Sequence, residues 1–588
     1  MSDPLLRYYE QELTFVRRAL GQFGSEHPEH AQRLNIHQGQ IEDPSLARLL
    51  DGVALLNANV EKRLSEQIPE VVEGLLGVLY PSYIQTVPSV AYLEMSTGAP
   101  STDSTTLPKG TRFSSESQDK TCLFTTTDEL KTTPFALIDT KASSAPFDFN
   151  RPQGSEQTTA VIQLTLSTGD DDVHFSQLAL EDLDFFVQGF ENNADSLVEL
   201  LLSEARAISI SDINGENHAV LAANQLKSRI SDNQFQFLPQ KGNQFSGYHL
   251  MNEFFFFKEK RQFFRLKGFG EACQQHDCST VVLNLFMHSL PMEFIRLFDN
   301  QVFKLNVVPA VNLFEQMGEP TSYDQRSLTI PVNADAHTDN EIQVVDILDV
   351  FEITSSGQKL LTPLFKDSYQ SDPHCDYWQS RKDSTGELRL AISLNANQEL
   401  EFNKLYGTRL LCTNGKQACT INGEMTCLEP IDLPGDFHSL YPPSAPIERE
   451  SDANMHWQFI GLLNSNFSSL LHSEDPTQQL KQMLQLCSRN QLVSDEIQMI
   501  QSVKVRSQVS SMRILGKNVF SPGTEIEITL DTSGNYLTFT DVLNRFFQQF
   551  CSFDRYIQLT IRLYGKDGIA RRYPKSTGAS ARCSVEDR

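Results

Sequence analysis

Residues 252–269, NEFFFFKEKRQFFRLKGF, place seven phenylalanines in one short stretch of the chain. If the preceding GYHLMN continues into the run as a helix, four successive phenylalanines at about 100° per residue cover most of its circumference. Exposing several of these rings would cost roughly 1.5 to 3 kcal/mol each and would promote aggregation. We therefore expect Phe254, Phe255, Phe256 and Phe257 to be enclosed, either by the chain itself or in part by a neighbouring subunit.

The composition is that of an acidic globular protein. Of 588 residues, 39% are hydrophobic and 21% are charged, values typical of folded chains, and the length predicts roughly three to five folding units. The net charge of -26 repels phosphate backbones and anionic headgroups, which disfavours nucleic acid and membrane surfaces as main partners. We expect no membrane insertion, because no stretch approaches about 18 consecutive apolar residues.

Two features predict a cytoplasmic protein. The first residues, MSDPLLRYYEQEL, contain acids and no basic flank leading into an apolar stretch, so they do not have the pattern of a secretory signal. The ten cysteines are scattered along the chain rather than dense. Such scattering is typical of free thiols rather than of a secreted disulfide scaffold.

The first 86 residues have the apolar spacing of helices. Asp43 and Pro44 form a start signal, and apolar residues then recur at steps of three and four for about five turns. This stripe consists of Leu46, Leu49, Leu50, Val53, Leu56, Val60 and Leu64. Its small residues Gly52, Ala54 and Ala58 permit close approach of another helix, so the stripe packs inside its own domain or forms a partner interface.

After Pro88 the sequence changes to short alternating segments separated by turn residues, which is typical of strands. A stretch rich in proline, serine and acids marks the clearest boundary. The predicted fold class is α+β and multidomain. The predicted parts are a helical region (1–86), a strand-rich mixed domain (87–290), a strand-rich domain (291–432), a linker (433–455) and a C-terminal α+β domain (456–588).

Several individual elements are also predicted. Residues 194–204, ADSLVELLLSE, favour a helix, and residues 281–287, VVLNLFM, favour a buried strand. Asp475 and Pro476 are a cap and a first residue for another helix. Residues 539–550 have the apolar spacing of a helix between two strands of the last domain.

The common catalytic and cofactor signatures are absent from the sequence. GFGEAC (268–273) resembles the start of a dinucleotide-binding turn, but Cys273 stands where the third glycine is needed. No phosphate-binding loop, serine-nucleophile elbow or His-Glu-x-x-His helix occurs. We therefore predict no catalytic residues and no cofactor.

Three groups of residues are weak candidates for a metal site. They are Cys273, His276 and Cys278; Cys412, Cys419 and Cys427; and Asp170, Asp171 and Asp172. Neither cysteine group has the paired spacing of a zinc knuckle, and the three acids lack the rest of a calcium loop. Buried thiols and a solvated acidic turn are the favoured interpretations, so no metal is predicted.

Residues 43–89 carry a resemblance to a known family. DPSLARLLDGVALLNANVEKRLSEQIPEVVEGLLGVLYPSYIQTVPS contains an Asp-Pro, an Arg-Leu-Leu, a Pro-Glu, a Tyr-Pro-x-Tyr and a Pro-Ser in the order found in the TssF (VasA, ImpG) baseplate family of type VI secretion. EFFFF, VVPAVNLFEQMGEP (307–320) and LLCTNG (410–415) follow in family order, so the resemblance covers essentially the whole chain. Lys258 replaces a proline that the family usually has before Glu259 and Lys260.

The resemblance implies a structural subunit and not an enzyme. Members of the family sit in the bacterial cytoplasm, at a baseplate docked on the inner membrane. Two TssF copies pair with one TssG in a wedge that also contains TssK and TssE, and six wedges surround the spike hub, VgrG. The wedge is the platform on which sheath and tube assemble, as in contractile phage tails.

A subunit of this kind needs large interfaces with apolar and aromatic anchors. The stripe from Leu46 to Leu64 and the run from Phe254 to Phe257 are the candidates for such anchors. Two other functions stay open on the residues alone: a cytoplasmic hydrolase with a dispersed active site, and an adaptor that carries effectors. An ordered metal or a deep cleft with histidines and acids would favour the enzyme.

Overall fold

A computed structural model gives the fold. It describes residues 9–10, 12–15, 18, 36–37, 40–41, 48, 51–58, 75–77, 80, 83, 85–97, 104–117, 120–190, 193–240, 246–323, 329–334, 342–355, 357–364, 376–382, 387–393, 404–421, 423–447, 453–464, 475–488, 495–514, 517–531, 535–551 and 555–577. From residue 85 onward, the α-helices of the described part of the chain are Ala194–Glu204, Ser246–Phe256, Phe269–Cys273, Met292–Ile295, Ala453–Asn464, Pro476–Cys487, Asp495–Gln498 and Leu537–Gln549. Short 3-10 turns occur at Phe175–Gln177, Ala223–Gln225, Lys258–Gln262 and Gly415–Thr420.

The N-terminal region is helical over residues 12–15, 51–58 and 75–77, in agreement with its apolar spacing. One pair of two-residue strands, Ile36–His37 and Gln40–Ile41, is an element that the spacing does not predict. Among the described residues, no helix is both long enough and apolar enough to cross a bilayer. The confirmed fold class is therefore α+β, with helices at both ends of a strand-rich middle.

Two sheets and a helix share the first large core. The five-stranded antiparallel sheet has the order Ala219–Ala222, Ala205–Asp212, Thr280–Met287, Ala160–Ser167 and Ala136–Ser144. The four-stranded sheet has the order Leu226–Ser228, Phe263–Leu266, Leu183–Val187 and Phe303–Lys304. Side chains of both sheets and of helix Ala194–Glu204 form one hydrophobic cluster, and the predicted helix and buried strand are confirmed here.

Six strands from separate parts of the sequence form a closed barrel. Its order is Val307–Val311, Val90–Thr97, Gly435–Ser439, Glu424–Cys427, Arg112–Ser117 and Lys120–Thr126. Gly435 must be glycine there, because an added Cβ would lie 1.8 Å from the carbonyl oxygen of Ser96. The pair Thr106–Leu107 and Leu130–Lys131 lies in the loops beside it.

The residues between barrel strands Val307–Val311 and Glu424–Cys427 form two further sheets. The first has the order Phe314–Met317, Lys404–Thr413, Gln343–Thr354 and Gly357–Leu360, with Thr321–Tyr323 also paired to Lys404–Thr413. The second has the order Ile330–Pro331, Leu388–Ser393, Tyr377–Lys382 and Thr362–Pro363. Their inner side chains form one cluster around Val350 and Leu410, so these sheets form an insertion within the barrel.

The barrel combines strands from several of the predicted segments. Residues 433–455, predicted as a linker, include the barrel strand Gly435–Ser439. The barrel also joins strands from either side of residues 290–291. The strands of this one barrel therefore come from several of the predicted segments. The domain boundaries drawn from composition stay a prediction.

The C-terminal sheet has the order Ile500–Ile514, Lys517–Leu530, Tyr556–Leu563 and Arg571–Arg572, with Ser576–Thr577 paired to Tyr556–Leu563. Lys517–Leu530 and Tyr556–Leu563 are parallel, and helix Leu537–Gln549 connects them, as a parallel pair requires. Asp475 caps helix Pro476–Cys487 by accepting hydrogen bonds from the amides of Thr477 and Gln478, as its sequence predicts.

Candidate partner-binding surface

Helix 51–58 belongs to the predicted interface stripe, and it turns large apolar side chains toward water. Of the three small residues expected to allow close packing, Ala54 and Ala58 are fully buried, whereas Gly52 is exposed. Val53 is 38% exposed and Leu56 is 66% exposed, and Leu55 beside them is also exposed. The chain thus packs the small side of this helix and leaves its large apolar side uncovered, an arrangement typical of a surface that another protein covers.

The structure locates only part of the predicted stripe. Val53 and Leu56 are the members that it describes, whereas Leu46, Leu49, Leu50, Val60 and Leu64 lie outside the described residues. Leu55 was missed by the helical spacing, although it lies next to Leu56 and is exposed. Exposed Leu75, on the described helical residues 75–77, was missed as well.

The phenylalanine run occupies the interior of this chain. Helix Ser246–Phe256, called here the aromatic helix, buries Phe254 and Phe255 in the C-terminal core, and the next residue, Phe257, is buried in a second cluster. Phe256 is half-buried against that second cluster. The expectation that the run is enclosed is thus met by the chain itself.

Each ring of the run has neighbours within the chain. The Phe254 ring centroid lies 5.7 Å from that of Phe539, and the Arg261 guanidinium lies 4.1 Å above the Phe254 ring. Phe257 packs 5.3 Å from Phe237. Phe254, Phe255 and Phe257 therefore have almost no surface to offer a partner, and among the described candidates Val53 and Leu56 of helix 51–58 are the exposed ones.

A buried acid on the aromatic helix joins three segments. The Glu253 carboxylate accepts hydrogen bonds from the amides of Phe237 at 2.8 Å and Leu238 at 2.7 Å, and from Lys260 Nζ at 2.5 Å. His249 Nε2 lies 3.3 Å from the same carboxylate. Burial works to raise the pKa of Glu253, but the Lys260 charge, His249 and the Leu238 amide outweigh it and lower the pKa to about 2.

A second buried acid connects the middle of the chain to its C-terminal domain. Glu199, on helix Ala194–Glu204, accepts hydrogen bonds from the amides of Tyr536 at 2.5 Å and Leu537 at 2.6 Å. These amides begin helix Leu537–Gln549, where a carboxylate satisfies donors that have no partner inside the helix. Burial raises the pKa of Glu199, and the backbone amides oppose that rise.

Two residues of the first metal candidate, His276 and Cys278, contact Asp212. His276 Nδ1 lies 3.0 Å from Asp212 Oδ1, and Cys278 Sγ lies 3.6 Å from the same oxygen. Burial raises the pKa of Cys273, and it raises the pKa of Cys412 to about 12, which disfavours the thiolate that a metal needs. Within the described part of the chain, no three His, Cys, Asp or Glu side chains come together in a metal-binding arrangement.

The remaining candidates have ordinary surroundings. Asp170, Asp171 and Asp172 form an exposed turn after strand Ala160–Ser167. GFGEAC forms a left-handed Gly268 followed by the short helix Phe269–Cys273. A cavity lined by Val87, Leu238 and Leu313 has a volume of about 20 Å³, which suits about one water molecule and no substrate.

Comparison of the sequence with known proteins identifies a family over nearly the full length of the chain. The sequence profile described as "Type VI secretion system, TssF" matches residues 1–580. A relative from Pseudomonas aeruginosa, described as "Type VI secretion system component TssF1", is 24% identical, and the match covers 98% of this chain and 99% of the relative.

Two solved assemblies contain a chain of similar fold. A chain in a cryo-electron microscopy structure of the type VI secretion TssK-TssF-TssG baseplate subcomplex matches with a TM-score of 0.71 at 18% identity, covering 90% of this chain and 99% of that one. A chain in the baseplate complex from the type VI secretion system matches with a TM-score of 0.58 at 17% identity, covering 97% and 99%. With a family profile that spans nearly its full length, this chain belongs to the type VI secretion system TssF family.

Proposed function

We propose that this chain is a structural subunit of the baseplate wedge of a type VI secretion system, and that it holds partner subunits without catalysing a reaction. The single observation that carries the proposal is the exposed apolar face of helix 51–58 in a chain of this family. Burying a Val or Leu side chain stabilises an interface by roughly 1.5 to 3 kcal/mol. A face with Val53, Leu55 and Leu56 therefore suits a hydrophobic interface centre.

The partners follow from the assemblies in which similar chains occur. One such assembly is described as a complex of TssK, TssF and TssG, so TssG and TssK are the proposed direct partners. The finer proposal is two copies of this chain to one TssG, with TssE in the same wedge and self-association of the two copies within it. Six wedges would surround the spike hub, VgrG, at a cytoplasmic baseplate docked on the inner membrane.

Co-expression with TssG tests the proposal at helix 51–58. Val53→Asp and Leu56→Asp place a charge on the exposed apolar face and are expected to weaken the complex by about tenfold or more, because an unpaired charge is desolvated on binding. Gln482→Asp is the control, since it introduces the same charge at an exposed polar position of a different helix, Pro476–Cys487. Native mass spectrometry reads the copy number, with two to one expected.

Folding of each variant is checked separately, by circular dichroism and thermal unfolding. Co-purification of folded Val53→Asp with TssG at the parent ratio would contradict the proposed interface. The absence of any complex between the parent chain and TssG would contradict the wedge role itself. Turnover by the isolated chain that a single polar replacement abolishes would contradict the non-enzymatic role.

A further inference from the structure

The five-stranded sheet of the first large core ends in one long edge strand. Its two edge strands are Ala219–Ala222, with four residues, and Ala136–Ser144, with nine. Ala136–Ser144 is last in the sheet order and pairs with Ala160–Ser167. The other side of such a strand presents backbone donors and acceptors with which another chain can pair. We call this side of Ala136–Ser144 the outer edge.

The side chain of Asn300 occupies the middle of the outer edge. Its Oδ1 accepts a hydrogen bond from the Thr140 amide at 2.9 Å, and its Nδ2 donates to the carbonyl oxygen of Ile138 at 3.0 Å. One side-chain amide thus makes the two hydrogen bonds that an added strand would make at this position. Asn300 itself lies in an exposed turn just before strand Phe303–Lys304, which belongs to the other sheet of the same core.

Without Asn300, the outer edge is complementary to the same edge of a second copy. The Thr140 amide points outward, so in an antiparallel pair centred on Thr140 the two copies of this residue exchange two backbone hydrogen bonds. Asp139 of each copy then lies opposite Lys141 of the other. These two side chains lie on one face of the strand, where they already form an ion pair within one copy. Opposite charges across a strand pair favour pairing.

We propose that Asn300 blocks the outer edge and thereby prevents two copies of this chain from pairing through it. The net charge of -26 on each copy opposes their approach. At about 0.15 M salt, however, this repulsion is screened beyond about 8 Å, so it does not protect backbone groups at contact distance. Ile138 beside the contact is 53% exposed and adds an apolar side chain that a second copy would cover.

Asn300→Ala in the full chain tests the inference by sedimentation velocity. The association constant for self-association is expected to rise about tenfold over that of the parent, because each copy gains a free donor and a free acceptor. Hydrogen exchange at residues 138–142 is expected to be faster than in the parent at low protein concentration and slower at high concentration. Asn214→Ala is the matched control, since Asn214 is an exposed asparagine in another turn of the same core, and it is expected to behave as the parent does.

Two charge variants in the Asn300→Ala background locate the contact. Lys141→Asp places like charges opposite each other across the paired edges, so it is expected to return self-association to the parent value. Adding Asp139→Lys to that variant exchanges the two charges and is expected to restore self-association. If Asn300 only joined the two sheets of the core, its replacement would lower stability, and self-association would not follow the exchange of charges.

Thermal unfolding checks that each variant is folded. Asn300→Ser is made alongside Asn300→Ala, because serine suits a turn but is too short to reach both Thr140 and Ile138. Parent-level self-association in a folded Asn300 variant would overturn the inference, and so would self-association that Lys141→Asp leaves unchanged. Tighter binding of TssG by Asn300→Ala, without self-association, would overturn it in favour of a partner strand at this edge. The inference does not depend on helix 51–58, on which the Val53→Asp variant reports.

Discussion

Lys260 Nζ lies 2.5 Å from Glu253 Oε2, and each side chain is 1% exposed. The same carboxylate holds the amides of Phe237 and Leu238, so one buried acid connects the aromatic helix with two neighbouring segments. The Lys260 ammonium also lies 5.2 Å from the ring centroid of Phe237. This network fixes the point where the phenylalanine run divides between two cores.

Glu253→Gln is expected to lower the free energy of unfolding by about 3 to 5 kcal/mol, because it leaves the Lys260 charge buried without a counter-charge. Urea unfolding followed by circular dichroism measures the change. Glu271→Gln is the matched control, since Glu271 is exposed, and it is expected to unfold as the parent does. A Glu253→Gln protein with parent stability would show that the buried pair is not a main support of this core.

The same carboxylate predicts a dependence on pH. Its pKa is lowered from 4.5 to about 2 by folding, so its contribution is complete above pH 4.5 and is lost as pH falls toward 2. The stability difference between the parent and Glu253→Gln is therefore expected to shrink as pH falls below 4.5. Urea midpoints of both proteins at a series of pH values measure it. A difference that stays constant across this range contradicts the assignment.

Gly270→Ala is expected to destabilise the first core by roughly 1 to 3 kcal/mol. A Cβ at Gly270 would lie 1.9 Å from the carbonyl oxygen of Leu180, and backbone on both sides would have to move. Gly461→Ala is the matched control on helix Ala453–Asn464, with no atom within 4 Å of its added Cβ. It is expected to stabilise by roughly 0.5 to 1 kcal/mol. Thermal unfolding of both variants with the same midpoint shift would contradict this pair of expectations.

Glu199→Gln tests the contact between the middle and the C-terminal domain. Replacing the charge weakens two hydrogen bonds to the amides of Tyr536 and Leu537, at a cost of about 1 to 3 kcal/mol. Faster hydrogen exchange is expected in the first turn of helix Leu537–Gln549. Glu271→Gln, which removes an exposed acid elsewhere in the middle of the chain, serves as the control and leaves that turn unchanged. Parent-like exchange in Glu199→Gln would contradict the capping role.

Local signals in the sequence predicted local structure well. Residues 194–204 form the helix that their apolar spacing predicts, and Asp475 caps the helix that Pro476 begins. The burial of Phe254 and Phe255 agrees with the expected angular spread of the rings, although the helix ends at Phe256 and Phe257 is buried just beyond it. Each of these signals lies within a few residues of the structure that it specifies.

Long-range pairing was beyond the same reasoning. Nothing near Gly435 indicates that it pairs with Thr97, or that Glu199 caps a helix beginning at Leu537. At helix 51–58 the period of the stripe was clear, but the period alone does not tell which side of a helix its own domain covers. The structure resolves this by burying Ala54 and leaving Leu56 exposed.

The barrel sets an order of events during synthesis. Strand Val90–Thr97 lies between Val307–Val311 and Gly435–Ser439, both of which leave the ribosome long after it, and Met95 meets Phe437 only when the insertion has been made. Until both of those strands have been made, the two edges of strand Val90–Thr97 are open to incorrect pairing with other nascent chains. A chain that ends before residue 435 leaves the barrel unclosed, so premature termination yields aggregation-prone protein rather than a shorter working subunit.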